Sequence, residues 1–355
     1  MFRFFLLTTT CFLFSCGQSS PSAVSSPEAP QVASEVSETA PEKAPDPPLS
    51  LAVEYLVEAP AKALLGEEPE FEVLHKGMEW SEGPLVLPDG RVLCSDVPRN
   101  HILVHDKGET NVYLDNSGSA PDDYSSEPGS NGLHLDENDK LVLCQHGARR
   151  VVRMEAPLDA PAEAFTVLAD NYRGKRFNSP NDLVIAKDGS ILFTDPIYGL
   201  PGREKSTLKE LDYCGVFRID PTGSVHLLSK QYLRPNGIGL SPDNKTLYVA
   251  DSDRSRLTLT ATPILDDTFA LGEPVYLIKA DHLARKVKGS TDGLAVGKNG
   301  RIFATAPGGV WILEPDGTVI AKISTGLPVS NVELAPDEDL LYMTSDYYLI
   351  CIKLS

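Results

Sequence analysis

Basic residues are scarce in this chain. Its 355 residues hold 32 Lys and Arg against 50 Asp and Glu, a formal net charge of −18. That balance excludes nucleic acid as a partner, since phosphate contacts rest on Lys and Arg. It disfavours an anionic membrane surface for the same reason. Cys and His are not clustered at zinc-site spacing, so zinc is not the first metal to consider. No long helical periodicity runs through the chain, and short strand-like runs separated by Asp, Asn, Gly and Lys turns take its place.

The N-terminus stands apart. The apolar run after Arg3 stops at Phe14, short of the roughly 20 residues a spanning helix needs. It reads as the apolar region of a secretory signal peptide, and Leu13-Phe14-Ser15-Cys16 resembles a bacterial lipoprotein cleavage box. Residues 1–16 are therefore expected to be a lipoprotein-type leader with Cys16 as the lipidation site. Residues 17–49, rich in Pro, Ser, Ala and Glu, contain no aromatic residue and are expected to be a disordered linker. The protein is expected to be exported, periplasmic or on the cell surface, and to touch a bacterial membrane only through a lipid anchor.

Residues 50–355 repeat. Six segments share one grammar: WSEGPLVLPDGRVLCSD, GSNGLHLDENDKLVLCQH, SPNDLVIAKDGSILFTD, RPNGIGLSPDNKTLYVAD, STDGLAVGKNGRIFATA and VSNVELAPDEDLLYMTSD. Each opens on a polar residue, then a small or turn-forming one, an apolar strand, a turn and a second strand. The leading polar residues are Glu82, Asn131, Asn181, Asn236, Asp292 and Asn331, at spacings of 49, 50, 55, 56 and 39 residues. Strands and turns at that period predict an all-β, six-bladed β-propeller. The last repeat lacks an outer strand, which FEVLHKG (71–77) is expected to supply.

In a propeller the first strand of each blade lines the central channel, so the six oxygen-bearing side chains are expected to converge. Buried carboxylates brought together repel unless a cation intervenes. Ca²⁺ takes about six to eight oxygen ligands and tolerates irregular geometry. Glu82 and Asp292 would balance its charge, Asn181 and Asn236 would donate carbonyl oxygens, and Asn131 and Asn331 would shape the pocket. Zn²⁺, Mg²⁺ and Mn²⁺ are alternatives. Any single Asn-Gly or Asp-Gly is an ordinary turn dipeptide, and the weight lies in the set.

The motifs SEGPLV, SNGLHLD, CQHGARRVVRME, SPNDLVIAKDGSILFTDPIYG, RPNGIGLSPDNKTLYVAD and STDGLAV together resemble the gluconolactonase/senescence marker protein (regucalcin) family of six-bladed propellers. Paraoxonases and diisopropyl fluorophosphatase share that architecture. The resemblance implies one divalent ion, usually Ca²⁺, on Glu82, Asn181, Asn236 and Asp292, and hydrolysis of a small-molecule sugar lactone such as gluconolactone. Some animal members carry an arginine two residues before the asparagine of PND; Ser179 stands there, so the substrate stays open. An esterase or phosphotriesterase at the same site, or a binding propeller with structural calcium, are the competing functions.

Two residues compete as general base. The resemblance implies Asp292, which would also be a ligand. His146 ends the second strand, where the other repeats place Asp96, Asp195, Asp251 and Asp346. Asp195 and Tyr198, in TDPIYG, are candidate pocket residues with Asn131 and Asn331. Cys94 and Cys144 are read as one column of successive blades, too far apart for a disulfide, and hence as buried free thiols. The loops 114–130 and 197–213 are long; the first is either a lid or a disordered insertion.

Overall fold

The computed structural model describes residues 46–121 and 123–355, so the leader (1–16), Cys16 and nearly all of the 17–49 linker lie outside the described residues. Residues Asp46–Ser355 form one compact unit. Among the described residues it contains six antiparallel sheets of four or five strands, in which sequence neighbours mostly pair in order, and one two-stranded ribbon, Asn171–Tyr172 with Lys175–Arg176. Blade I runs Ser81–Val86, Val92–Asp96, His101–Asp106 and Glu109–Leu114. Blade II begins at Ser130–Leu135, blade III at Leu183–Ile185, blade IV at Pro235–Leu240, blade V at Leu294–Val296 and blade VI at Asn331–Leu334. Each inner strand touches the next and the sixth touches the first, which closes the ring of a six-bladed propeller.

The closure is the expected one. Phe71–Lys76 pairs antiparallel with Tyr348–Lys353, so blade VI takes its outer strand from the start of the ring and its other strands from the end. The segment before it belongs to no repeat. Ala52–Tyr55 adds a fifth strand to blade V against Val319–Ser324, and the helix Glu58–Leu65 packs Ala61, Leu64 and Leu65 into the seam between blades V and VI.

The apolar core is not central. It lies in the seams between neighbouring blades, because the blade sheets place apolar side chains on both faces. Leu85, Leu93, Leu133 and Leu143 fill the seam of blades I and II. Phe177, Phe193 and Phe217 fill that of blades II and III, their ring centroids 5.1–5.5 Å apart. Cys94, Cys144, Cys214 and Cys351 are all buried and free. Burial pushes the thiols of Cys94 and Cys214 up to about 12, so they behave as small apolar groups.

Cys94 and Cys144 do not share a column. Asp96 pairs with Ser81, Gln145 with Ser130 and Asp251 with Pro235. In that register Cys94 matches Leu143, and Cys144 lies one residue further on. The two thiols therefore face opposite seams, Cys94 toward blade VI and Cys144 toward blade III.

The dipeptide at each ring position has a structural explanation. The carbonyl of Asn181 accepts the amide of Gly132 (2.7 Å), and the carbonyl of Asp292 accepts that of Gly237 (3.2 Å). A Cβ on Gly237 would lie 2.1 Å from the Asp292 oxygen, and one on Gly83, at φ 46°, would lie 2.1 Å from the Asn131 oxygen. Glycine follows the polar residue because the next blade's backbone passes through the space a side chain would fill, not because the chain turns.

Candidate metal centre and active site

The ring position lies five positions before the first turn residue in every blade. The amides of Leu87, Asp136, Ala186, Ser241, Gly297 and Ala335 close those turns. Counting back gives Glu82, Asn131, Asn181, Asn236, Asp292 and, in blade VI, Ser330. Asn331 is thus one residue past the ring. Its Oδ1 accepts from the amide of Val332, as Asp182 Oδ1 accepts from Leu183, and both line the cavity at the opposite end of the channel. Ser330 is fully buried and donates to the Ser81 carbonyl, so it offers the ring nothing.

The other five come together. Glu82, Asn131, Asn181, Asn236 and Asp292 are each at most 8% exposed and line one cavity of ≈ 380 Å³. Their partners leave oxygens free toward it. Trp80 Nε1 donates to Glu82 Oε1 (3.1 Å), and Ser290 Oγ donates to Asp292 Oδ2 (3.3 Å). The amide nitrogen of Asn181 faces His146 Nε2 at 3.4 Å, and that of Asn236 donates to Ser252 Oγ at 3.5 Å. Each contact turns a carbonyl oxygen inward. Asn131 Oδ1 and Asp292 Oδ1 are buried without a hydrogen-bond partner. Burial raises Glu82 and Asp292 well above the usual carboxylate range; the charge of Asp292 adds to it at Glu82, and those of Asp182 and Glu127 at Asp292. Orphaned oxygens beside two carboxylates that resist ionisation fit a hard divalent cation.

The acidic column has a different job. Asp96 accepts the amides of Glu79 and Trp80, Asp195 those of Asn178 and Ser179 (both 2.8 Å), and Asp251 those of Leu233 and Arg234 (both 2.9 Å). Each clamps the turn that leads into an inner strand. Asp195, raised to about 7 by burial, is not a pocket residue; it holds the turn that presents Asn181. By register Gln145 and Ser345 occupy this column, and His146 and Asp346 fall one residue beyond. His146 is fully buried behind Asn181. Its Nδ1 has no hydrogen-bond partner and lies 3.6 Å from Glu127 Oε2.

Tyr198 does line the pocket, with its hydroxyl 2.7 Å from Ser252 Oγ. So do Trp80, Glu127 and three arginines, Arg203, Arg234 and Arg254; Trp80 and Arg234 open two of the repeat segments, whereas Glu127, Arg203 and Arg254 sit in loops of unequal length that the repeat does not reach. The two long loops meet at the mouth: Tyr124 Oη donates to the Gly199 carbonyl (2.6 Å) and Ser126 Oγ to that of Tyr198 (3.4 Å).

The SMP-30/gluconolactonase/LRE-like region matches residues 80–347. The chain belongs to that family. It is 35% identical over 302 residues to a gluconolactonase of Zymomonas mobilis, covering 82% of this chain and 83% of the relative. A gluconolactonase of Xanthomonas campestris has the same fold, with a TM-score of 0.74 and 29% identity over 88% of this chain and 98% of that one. A lactonohydrolase of Aspergillus oryzae is 29% identical over 195 residues, 48% of this chain and 43% of that one. As a member of the family the chain is a lactone-opening hydrolase, and a small-molecule lactone is its substrate.

Proposed function

We propose that this protein hydrolyses a sugar lactone at a single divalent cation, Ca²⁺ by the chemistry of its donors, held by Glu82, Asn181, Asn236 and Asp292. The observation that carries the reading is the pair of buried, unpartnered oxygens, Asn131 Oδ1 and Asp292 Oδ1, in a ring with two carboxylates and no basic residue. All-oxygen donors, two of them charged, suit a hard cation of irregular coordination. When bound, such a cation supplies Lewis-acid polarisation of the lactone carbonyl and stabilises the oxyanion of the tetrahedral intermediate.

The chain supplies the rest. Trp80 and Ser290 each engage one oxygen of Glu82 and Asp292, which fixes the orientation of both carboxylates. His146 and Ser252 turn the Asn181 and Asn236 amides so that oxygen faces the cavity. Asn131 offers a further oxygen to substrate hydroxyls, and Tyr198 forms the wall. Asp292 Oδ1 accepts the proton of the attacking water and returns it to the ring oxygen that leaves as an alcohol. His146, which does not reach the pocket, acts as the support of Asn181 rather than as base.

The test is hydrolysis of glucono-1,5-lactone and a lactone panel after chelation, and again with Ca²⁺, Zn²⁺, Mg²⁺ or Mn²⁺ restored. Loss on chelation and recovery with Ca²⁺ at the lowest concentration is expected; full activity after exhaustive chelation would sink the reading. We also propose that the chain is exported and lipid-anchored through Cys16. Fatty-acid labelling that Cys16→Ala abolishes is the expected result, and labelling that persists would overturn it.

A further inference from the structure

Three arginines of this acidic protein line one cavity. The lining of the catalytic cavity includes Arg203, Arg234 and Arg254 and no lysine, although the chain as a whole carries a charge of −18. All three come from one side of the mouth. Arg203 lies in the loop of blade III; Arg234 leads into the inner strand of blade IV, and Arg254 follows that blade's second strand. Glu82 and Trp80, from blade I, face them across the cavity.

Their partners are unequal. Arg234 is fixed by Glu204 and Asp253, the latter at 3.3 Å. Arg203 has one carboxylate at 3.7 Å, Glu127, which itself lines the cavity. Arg254 forms no ion pair among the described residues and donates one hydrogen bond, to the Ala284 carbonyl at 3.4 Å. The guanidinium carbons of Arg203 and Arg234 lie 5.5 and 5.6 Å from the centre of the Tyr198 ring, which positions both against an aromatic wall. Arg203 sits at φ 50°, a left-handed backbone that costs a non-glycine residue energy and that recurs at ligand-binding positions. With Glu82 and Asp292 balanced by a cation, Glu204 and Asp253 match Arg234 and Glu127 faces Arg203, which leaves Arg254 as the lining guanidinium without a carboxylate among the described residues.

We propose that the lactone carries an anionic group, a carboxylate or a phosphate, on the carbon remote from its carbonyl, and that Arg203 and Arg254 bind it. Arg234, held by its two carboxylates, orients Tyr198 and fixes the wall. Guanidinium groups present planar paired donors that match either oxyanion. The neutral hydroxymethyl tail of gluconolactone leaves those donors unused. This inference rests on the lactonase reading and deepens it by naming the substrate class.

The experiment compares kcat/KM of the Ca²⁺-loaded full chain for glucono-1,5-lactone, its 6-phosphate and glucaro-1,4-lactone, which bears a carboxylate. An anionic lactone is expected to be preferred at least tenfold. Arg203→Gln and Arg254→Gln are each expected to shrink that preference several-fold or more, through KM, and added salt is expected to weaken it as exposed charges are screened. The two anionic substrates separate phosphate from carboxylate. A preference for the neutral lactone, or one that neither substitution alters, overturns the proposal and leaves the lactonase standing. If none of the three is opened, the lactonase reading is what fails. Calorimetric binding of 6-phosphogluconate and glucarate against gluconate then decides the arginine proposal alone. Tighter binding of a dianion, lost in both variants, supports it, and equal binding overturns it.

Discussion

At one end of the central channel two buried carboxylates, Glu82 and Asp292, sit among Asn131, Asn181 and Asn236. At the other end Asp182 and Glu333 sit beside Asn331. The residue types match and the inner strands are the same. The difference is which atoms are already satisfied. Asp182 accepts from the backbones of Leu183 and Ile238 and from the Asn331 side chain. At the upper end Asn131 Oδ1 and Asp292 Oδ1 accept nothing. Asp182 is held by its own donors, whereas Glu82 and Asp292 face each other beside open lone pairs, the arrangement that suits a cation.

The largest test of that contrast is chemical. Glu82→Gln and Asp292→Asn are expected to lower kcat by about a thousandfold, the scale at which one strong transition-state contact is lost. Asp182→Asn at the other end is expected to keep cation affinity within a few-fold of the parent. Calcium titration and turnover on the same samples check it, and a Glu82→Gln protein that still turns over normally would break the comparison.

A second test attacks the join between ring and blade. Gly237→Ala puts a methyl group 2.1 Å from the Asp292 carbonyl oxygen. It is expected to cost roughly 3 kcal/mol, in the range of overpacked cores, and to displace Asp292. Thermal melts with and without calcium measure both effects. A protein of parental stability and calcium affinity would show that the carbonyl does not hold the ring.

The asparagines separate the two ends more finely. Asn131→Ala is expected to weaken cation or substrate binding with little change in stability. Asn331→Ala is expected to cost about 1–2 kcal/mol of stability, by stripping a hydrogen bond from a buried carboxylate, with calcium affinity unchanged. The reverse pattern would mean that the register is misread.

Protonation gives the smallest effect. Glu333 is pushed up to about 8 by burial and then by the charge of Asp182, which itself lies at about 7 through burial. Glu82 and Asp292 are also raised. A carboxyl raised on folding contributes stability below its unfolded value, near 4, and loses it as pH climbs through the folded value. The cation-free protein is therefore expected to melt at progressively lower temperature between pH 5 and about 8.5. Calcium is expected to restore only the upper end's share, and Glu333→Gln to flatten the slope by on the order of 1 kcal/mol. A melting temperature that rises over that window would contradict the assignment.

The propeller was legible because six turns and six leading polar residues repeat at blade-like spacing, and because FEVLHK had nowhere to pair except the C-terminal strand. The fifth strand at Ala52–Tyr55 and the helix after it were not legible, since they occur once and belong to no repeat. Four of the five clustered ring residues were named as ligands from the pattern alone. The slips at Asn331 and at His146 both come from matching polar residues by type, and at Asn331 the pairing adds a second reason. The pairing shifts between the ring residue and the next pair in blades I, II and IV, but runs unbroken through blade VI from Asn331 to Leu334. Matching polar residues by eye cannot detect a missing bulge, whereas counting back from the turn can. Arg203 and Arg254 left no trace in the repeat, because the loops that carry them vary in length from blade to blade, whereas Arg234 opens the fourth segment with no basic counterpart in the others.

The pairing of Phe71–Lys76 with Tyr348–Lys353 makes the site depend on strands that line none of its cavity. The five clustered oxygens come from blades I through V, and blade VI holds the ring shut between blades V and I. Losing that one pairing is therefore expected to cost activity without touching a lining residue. A circular permutant opened in a loop between two blades would move the seam elsewhere without altering a single oxygen of the ring.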